Sequence, residues 1–186
     1  MSILTISQRF PRPWLVVWVL GMLPVGNGLG STGTATQTLN ALVYPIAKVS
    51  VPGSASLTTG FNQFTPFQGN VPVSYWLRTT PTGGGNLTIN VTSDFSPAGG
   101  PSAAAGGLTY SCGAATIGTP CSGSQTASTT VQTPVLTLPA SACTGGGGAC
   151  SAQIPNSVTV SFTLADDPAY TTGTYSAKVT FVISAT

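Results

Sequence analysis

The segment 71-VPVSYWLRTTPTGGGNLTINV-91 decides the fold class, because apolar and polar residues alternate along it on both sides of a turn. Residues 71–80 and 86–91 each show a period of two, which is typical of half-buried β-strands. The Pro- and Gly-rich stretch 81–85 between them predicts a turn. We therefore predict a β-hairpin whose core-facing side chains are Val73, Tyr75, Leu77, Leu87, Ile89 and Val91.

The same alternation recurs towards the end of the chain, where residues 157–164 and 174–183 predict two further long strands. Residues 35–51 predict an N-terminal strand that Pro45 interrupts, since proline is confined to edges and irregular places in strands. The loop after it places Phe61, Phe64 and Phe67 where we expect them to pack on the core. Shorter strands are predicted at 108–112, 125–131 and 135–138. About seven or eight strands separated by turns are typical of an all-β antiparallel sandwich.

Charged residues are very few, with five Lys and Arg and three Asp, and the sequence contains neither His nor Glu. Arg9 and Arg12 lie in the N-terminal segment, so residues 31–186 have three basic and three acidic side chains. A neutral chain has no basic stripe to neutralise phosphates, which argues against nucleic-acid binding. Repeated Val, Ile, Tyr and Phe in alternating runs argue against a disordered polymer.

The same composition argues against catalysis, because the usual general bases and metal ligands are missing. Asp94, Asp166 and Asp167 each lie in or beside a predicted turn, where Asp commonly bonds to the backbone. We expect no enzyme activity, no cofactor and no metal site. A glycosidase that pairs Asp94 with Asp166 or Asp167 stays open as an alternative.

The N-terminal segment has the pattern of a secretory signal peptide. Arg9 and Arg12 precede an apolar run over residues 14–23, and Gly28 and Gly30 stand at suitable small-residue positions for cleavage. The run is shorter than the ~20 residues that cross a bilayer. We expect residues 1–30 to be the signal peptide and residues 31–186 the mature domain, exported through the periplasm of a bacterium to the cell surface or beyond, with no membrane span after cleavage.

Four cysteines, Cys112, Cys121, Cys143 and Cys150, follow this leader, and an even number in an exported chain indicates disulfides. Three pairings are available. We prefer Cys112–Cys121 and Cys143–Cys150, because each would close a short Gly-rich loop between strand ends. A zinc site is the rival interpretation, but neither pair has the two-to-four-residue spacing that is usual for zinc.

The ending 172-TGTYSAKVTFVI-183 resembles the last strand of spore coat protein U and of related pilin-like domains of chaperone–usher systems. The resemblance implies an Ig-like antiparallel sandwich that lacks one strand and is completed by a neighbour. It implies a structural subunit of an appendage or coat, forming a homo-oligomer or fibre with the help of a periplasmic chaperone and an usher. The donor strand would be residues 34–43, with Leu39, Ala41 and Val43 as the inserting side chains.

A different class of function is a secreted monomeric module that binds carbohydrate or another surface ligand. Trp76 and Tyr110 are the candidate ligand-binding aromatics for that function, and the alternative for Trp76 is packing on the other face of its sheet. Asn86 and Asn90 each begin an Asn-x-Thr sequon and would both face outward on one strand.

Overall fold

The structure is a computed structural model that describes residues 36–60, 64–140, 142–143 and 150–186. The chain divides into two units, residues 1–40 and residues 41–186. In the first unit, the described residues 36–40 are exposed and form no strand. The predicted signal peptide and Phe61 lie outside the described residues, as do residues 31–35 of the predicted mature chain.

Nine β-strands lie within the described residues, none of which is helical. The strands are β1 (Ile46–Ser50), β2 (Phe67–Arg78), β3 (Gly85–Ser96), β4 (Leu108–Ala115), β5 (Thr119–Pro120), β6 (Gln125–Thr126), β7 (Thr133–Leu138), β8 (Asn156–Leu164) and β9 (Ser176–Ala185). Sheet A has the order β1-β2-β8-β4-β6, and sheet B has the order β5-β7-β3-β9. Every pairing is antiparallel, which confirms the predicted all-β antiparallel sandwich.

The core consists of the alternating residues that the sequence pattern assigned to the inner faces. Val73 and Tyr75 of β2 and Leu87 and Ile89 of β3 are completely buried. Sheet A contributes the apolar face of β8 and sheet B the apolar face of β7 to the same cluster. Burying one such side chain stabilises the fold by about 1.5–3 kcal/mol, so this two-sided cluster is the main source of stability.

The predicted hairpin of β2 and β3 is wrong in its pairing, although both strands and their inner faces are as expected. β2 pairs with β1 and β8 in sheet A, whereas β3 pairs with β7 and β9 in sheet B. The turn at residues 79–84 therefore carries the chain from one sheet to the other. At the start of β3, Gly85 allows β9 to approach closely, because a Cβ there would clash with the carbonyl of Ser184. Alternation shows which face a residue belongs to, but not which strand lies beside it.

The strand order is that of an Ig-like sandwich up to its next-to-last strand. In the Ig fold, strands A, B, E and D form one sheet and strands C, F and G form the other. Here β1, β2, β8 and β4 follow the order of the first sheet, and β3 and β9 stand where C and F stand. The Tyr175 hydroxyl donates to the Thr171 carbonyl just before β9, like the tyrosine corner at the start of strand F.

Two predictions for the N-terminal part need correction. Of the described residues 36–51, only those of β1 are in a strand, so the strand predicted over residues 35–51 begins after Pro45 and ends at Ser50. Phe64 is 60% exposed rather than packed on the core, whereas Phe67 packs against the core as the first residue of β2. Pro45 lacks an N–H for a strand hydrogen bond, which explains why pairing with β2 starts at Ile46.

Candidate functional site: the open flank of the sandwich

The two flanks of the sandwich differ in how they end. We call the side of β4, β5, β6 and β7 the closed flank and the side of β1 and β9 the open flank. On the closed flank, the disulfide Cys112–Cys121 connects β4 in sheet A to the residue directly after β5 in sheet B. On the open flank, β1 ends sheet A and β9 ends sheet B, and the two strands lie near each other.

β9 has one paired edge and one unpaired edge within the described residues. Its pairing with β3 runs from Ser176, opposite Ser96, to Ala185, opposite Gly85. No described strand pairs with the other edge, where a G strand stands in a complete Ig-like sandwich. An edge of this length presents a row of backbone N–H and C=O groups to which a further strand can bond.

The inner face of β9 is covered less completely than that of its neighbour. Ile183 and Phe181 stand opposite Leu87 and Ile89 of β3. The two β3 side chains are completely buried, whereas the two β9 side chains are only partly buried against the same core. Val179 is partly buried in the same way. The open flank therefore leaves apolar core surface in contact with solvent.

Residues 41–45, just before β1, are apolar and exposed. Leu42 is 77%, Val43 63% and Tyr44 65% exposed, and none of these residues is in a strand. The Arg78 side chain contacts the end of this segment that is next to β1, since its Nε donates a hydrogen bond to the Tyr44 carbonyl over 2.8 Å. Leu39, described with the first unit, is also exposed.

Exposed apolar side chains occur on both faces of this segment, which the sequence analysis did not anticipate. Leu39, Ala41 and Val43 alternate along one face of an extended chain, and Leu42 and Tyr44 along the other. The signal was present in the sequence, because the run 41–44 contains only apolar residues and Tyr. The incomplete covering of β9 had no such signal, because its pattern matches that of a fully buried inner face.

Tyr110 is not an exposed ligand-binding aromatic, so that prediction is wrong. It is 1% exposed, its hydroxyl donates to the Pro134 carbonyl over 2.7 Å, and its ring lies 6.0 Å from that of Phe162. Burial raises the pKa of the Tyr110 hydroxyl, and a hydrogen bond with Thr133 opposes that rise. Position 110 is on the inner face of β4, which places the ring between the sheets.

Trp76 lies on the outer face of sheet A, as predicted, but it is not an open platform. Lys48 is its cross-strand partner in β1, and the Lys48 ammonium lies 4.9 Å from the centre of the indole ring. This is a cation–π contact, which covers one face of the ring. The indole Nε1 is buried without a hydrogen-bond partner. A sugar ring would have to displace Lys48 to stack on that face.

In the described part of the chain, Asp94 and Asp167 accept hydrogen bonds within their own loops and turns. Asp94 accepts hydrogen bonds from the Ser102 hydroxyl and from the backbone N–H groups of Phe95, Ala103 and Ala104. Burial raises its pKa, but these four bonds outweigh burial and hold the pKa below its ordinary value. Asp167 accepts from the Ala169 N–H over 2.8 Å, as in an Asx-type turn.

The disulfides have the predicted pairing, Cys112–Cys121 and Cys143–Cys150. Of the two sequon residues, Asn86 is exposed, whereas Asn90 uses its amide nitrogen to donate to the carbonyls of Ser128 and Val131.

In the described residues, no group of three or more His, Cys, Asp or Glu could hold a metal ion. The same residues include no helix long and apolar enough to cross a membrane.

Comparisons of the chain with family models, with curated proteins and with solved structures found no match. Function is therefore inferred from the geometry of the open flank.

Proposed function

We propose that this chain is an exported structural subunit of an extracellular appendage or coat, and that neighbouring copies assemble by β-strand addition. The observation that carries the proposal is the unpaired edge of β9 beside an incompletely covered core. A strand added there would bond to the backbone of β9 and place alternate side chains between the sheets. The role is structural rather than enzymatic, and it needs no cofactor.

The donor strand in this proposal is residues 34–43 of another copy. With Val43 opposite Ala177, the inserting side chains Ala41 and Leu39 stand opposite Val179 and Phe181 of the acceptor. The segment has ten residues, as β9 does, so one donor in this register lies along nearly the whole edge. Burial of Leu39 and Val43 would each contribute about 1.5–3 kcal/mol to the contact.

Exported subunits of this kind need protection before assembly, because an open edge with apolar residues promotes uncontrolled pairing. A periplasmic chaperone that supplies a temporary strand and an usher that exchanges it for the next donor would meet this need. The two disulfides are consistent with passage through an oxidising compartment. We infer the cell surface or the extracellular medium as the final location.

Deletion of residues 31–43 tests the proposal. The truncated chain should keep a cooperative unfolding transition close to that of the full-length monomer, because β1 to β9 remain. It should no longer form filaments in negative-stain electron microscopy or large species in size-exclusion chromatography. A full-length chain that stays a monomer, together with a truncated chain that unfolds, would instead identify the segment as an ordinary first strand and favour a monomeric binding module.

A matched pair of double variants tests which face of the donor inserts. Leu39→Ser with Val43→Ser removes two apolar side chains from the proposed inserting face, and Leu42→Ser with Tyr44→Ser removes two from the other face. We expect the first variant to lose assembly and the second to retain it. The opposite result would keep strand addition but reverse the face.

A further inference from the structure

The few charges of the domain are separated between its two ends. We call the end at Arg78 and Ile46 the entry end, because residues 41–45 lead into β1 there. The opposite end, at Leu164 and Ser176, is the far end. Lys48 and Arg78 lie within two residues of the entry end of sheet A.

The carboxylates all lie at the far end. Asp166 and Asp167 are in the connection that follows Leu164, and Asp94 is near the last residue of β3. Lys178 is also at this end, because it stands opposite Ser93. Among the described residues, the side chains at the far end carry a net charge of two minus and those at the entry end a net charge of two plus.

The charges at the entry end are available for a partner. In the described part of the chain, Lys48 contacts the Trp76 ring and Arg78 bonds to a backbone carbonyl, so neither forms an ion pair with a carboxylate. Both side chains are exposed. At the far end, Asp167 is exposed and uses one oxygen for its own turn. The Asp94 carboxylate already accepts four hydrogen bonds from its own loop.

Strand addition, on which this inference rests, brings these two ends together. β9 runs from the far end to the entry end, so an antiparallel donor finishes beside Ser176 at the far end of the acceptor. Only Tyr44 and Pro45 then separate Val43 of the donor from β1 of its own domain. Three residue steps reach at most about 10 Å, so the entry end of one copy lies within about that distance of the far end of the next.

We propose that the junction between successive copies is an electrostatic contact, in which Lys48 and Arg78 of one copy face the Asp166–Asp167 turn of the next. At physiological ionic strength the screening length is about 8 Å, so charges at this separation still attract. The contact would favour head-to-tail approach and disfavour approach of two like ends, which speeds productive association.

Two variants with the same net charge test the proposal on the full exported chain. Lys48→Glu reverses a charge at the entry end, and Lys178→Glu reverses one at the far end. General repulsion between copies is therefore equal in the two. The chain is dissociated in guanidinium, diluted into buffer of low or high salt, and followed by light scattering, with electron microscopy of the products.

At about 20 mM salt we expect Lys48→Glu to assemble about three- to tenfold more slowly than wild type, and Lys178→Glu to assemble at least as fast as wild type. Asp166→Lys should also slow assembly, and its combination with Lys48→Glu should restore much of the rate. At about 1 M salt, where the screening length is about 3 Å, all four variants should approach the wild-type rate. Thermal unfolding of each monomer checks that folding is intact.

Equal rates for Lys48→Glu and Lys178→Glu at low salt would overturn the electrostatic junction while leaving strand addition in place. The same conclusion would follow if the combined variant were slower than both single variants. A wild-type chain that forms no polymer at any salt concentration would overturn both the junction and the proposed function.

Discussion

The closed and open flanks of the sandwich contain similar apolar residues, but these residues are buried more completely on the closed flank. On the closed flank, Val135 and Leu136 of β7 are 0% and 1% exposed, and the disulfide Cys112–Cys121 links the sheets. On the open flank, Phe181 and Ile183 of β9 face the same core and are only partly buried. Apolar residues are therefore not missing from the open flank. What is missing among the described residues is a strand at the second edge of β9.

An apolar pattern in the sequence therefore reports which side chains face the core and not how completely they are buried. β7 and β9 both direct apolar side chains at the core, and they are neighbours of the same strand, β3. β7 pairs with a strand at each edge, β5 and β3, whereas among the described residues β9 pairs only with β3. The incompletely covered apolar face of β9 is the observation behind the proposed site for a partner strand.

The largest expected effect compares one aliphatic side chain from each flank. Leu136→Ala should cost the monomer about 2–5 kcal/mol of unfolding free energy, because a fully buried side chain leaves a cavity. Ile183→Ala, on the half-covered face, should cost the monomer about 1 kcal/mol. Denaturant unfolding of the monomeric variants measures both.

Ile183→Ala should also have different effects on the monomer and on the assembled polymer. Ile183→Ala should weaken the polymer more than it weakens the monomer, since the donor strand would complete the burial of Ile183. Equal losses of unfolding free energy for Leu136→Ala and Ile183→Ala in the monomer would mean that the inner face of β9 is already fully covered.

Strand positions and inner faces could be predicted from the sequence because a period of two is a local property. Residues 71–91 gave two correct strands and all six inner-face residues. Their pairing could not be predicted, because β2 and β3 each pair with strands that lie far away in the sequence. Tyr110 shows the same limit, since an aromatic residue in a short strand has no sequence mark of being inside or outside.

The candidate site was predictable only in part. The run of apolar residues before β1 was visible in the sequence, and so was β9 with Tyr175 just before it. The separation of charges between the two ends was not visible, because Lys178 and Asp94 are far apart in sequence and near each other only through the pairing of β3 with β9.

A second expected effect concerns the bond that closes the closed flank. Replacing Cys112 and Cys121 by Ala should lower the unfolding free energy by about 2–3 kcal/mol, because the unfolded chain loses a constraint over a short loop. Assembly of the remaining folded subunits should persist, since the bond is remote from β9 in strand order. Thermal unfolding and electron microscopy of the double variant measure the two effects separately. Loss of filaments from a folded variant would contradict the separation of the flanks.

The smallest expected effect concerns Asp94. Its pKa is lower in the folded chain than its ordinary value, so the ionised carboxylate stabilises the fold above about pH 4, and this contribution is lost as the pH falls through the folded value. Asp94→Asn should therefore cost about 1–2 kcal/mol at pH 7, and the difference from wild type should shrink as the pH falls below about 4. Urea unfolding between pH 2.5 and pH 7 measures it. A difference that stays constant with pH would contradict the role of the ionised carboxylate.

Backbone hydrogen exchange shows whether the edge of β9 binds the segment 34–43 of another copy. A chain without residues 31–43 is mixed with a synthetic peptide of residues 34–43, and exchange of the β9 amides is followed by mass spectrometry. A peptide in which Leu39 and Val43 are replaced by Ser is the control. We expect the wild-type peptide to slow exchange along β9 and to raise the unfolding temperature, and the control peptide to do neither. If β9 is equally protected with and without the peptide, its edge is not a binding site and the account is wrong.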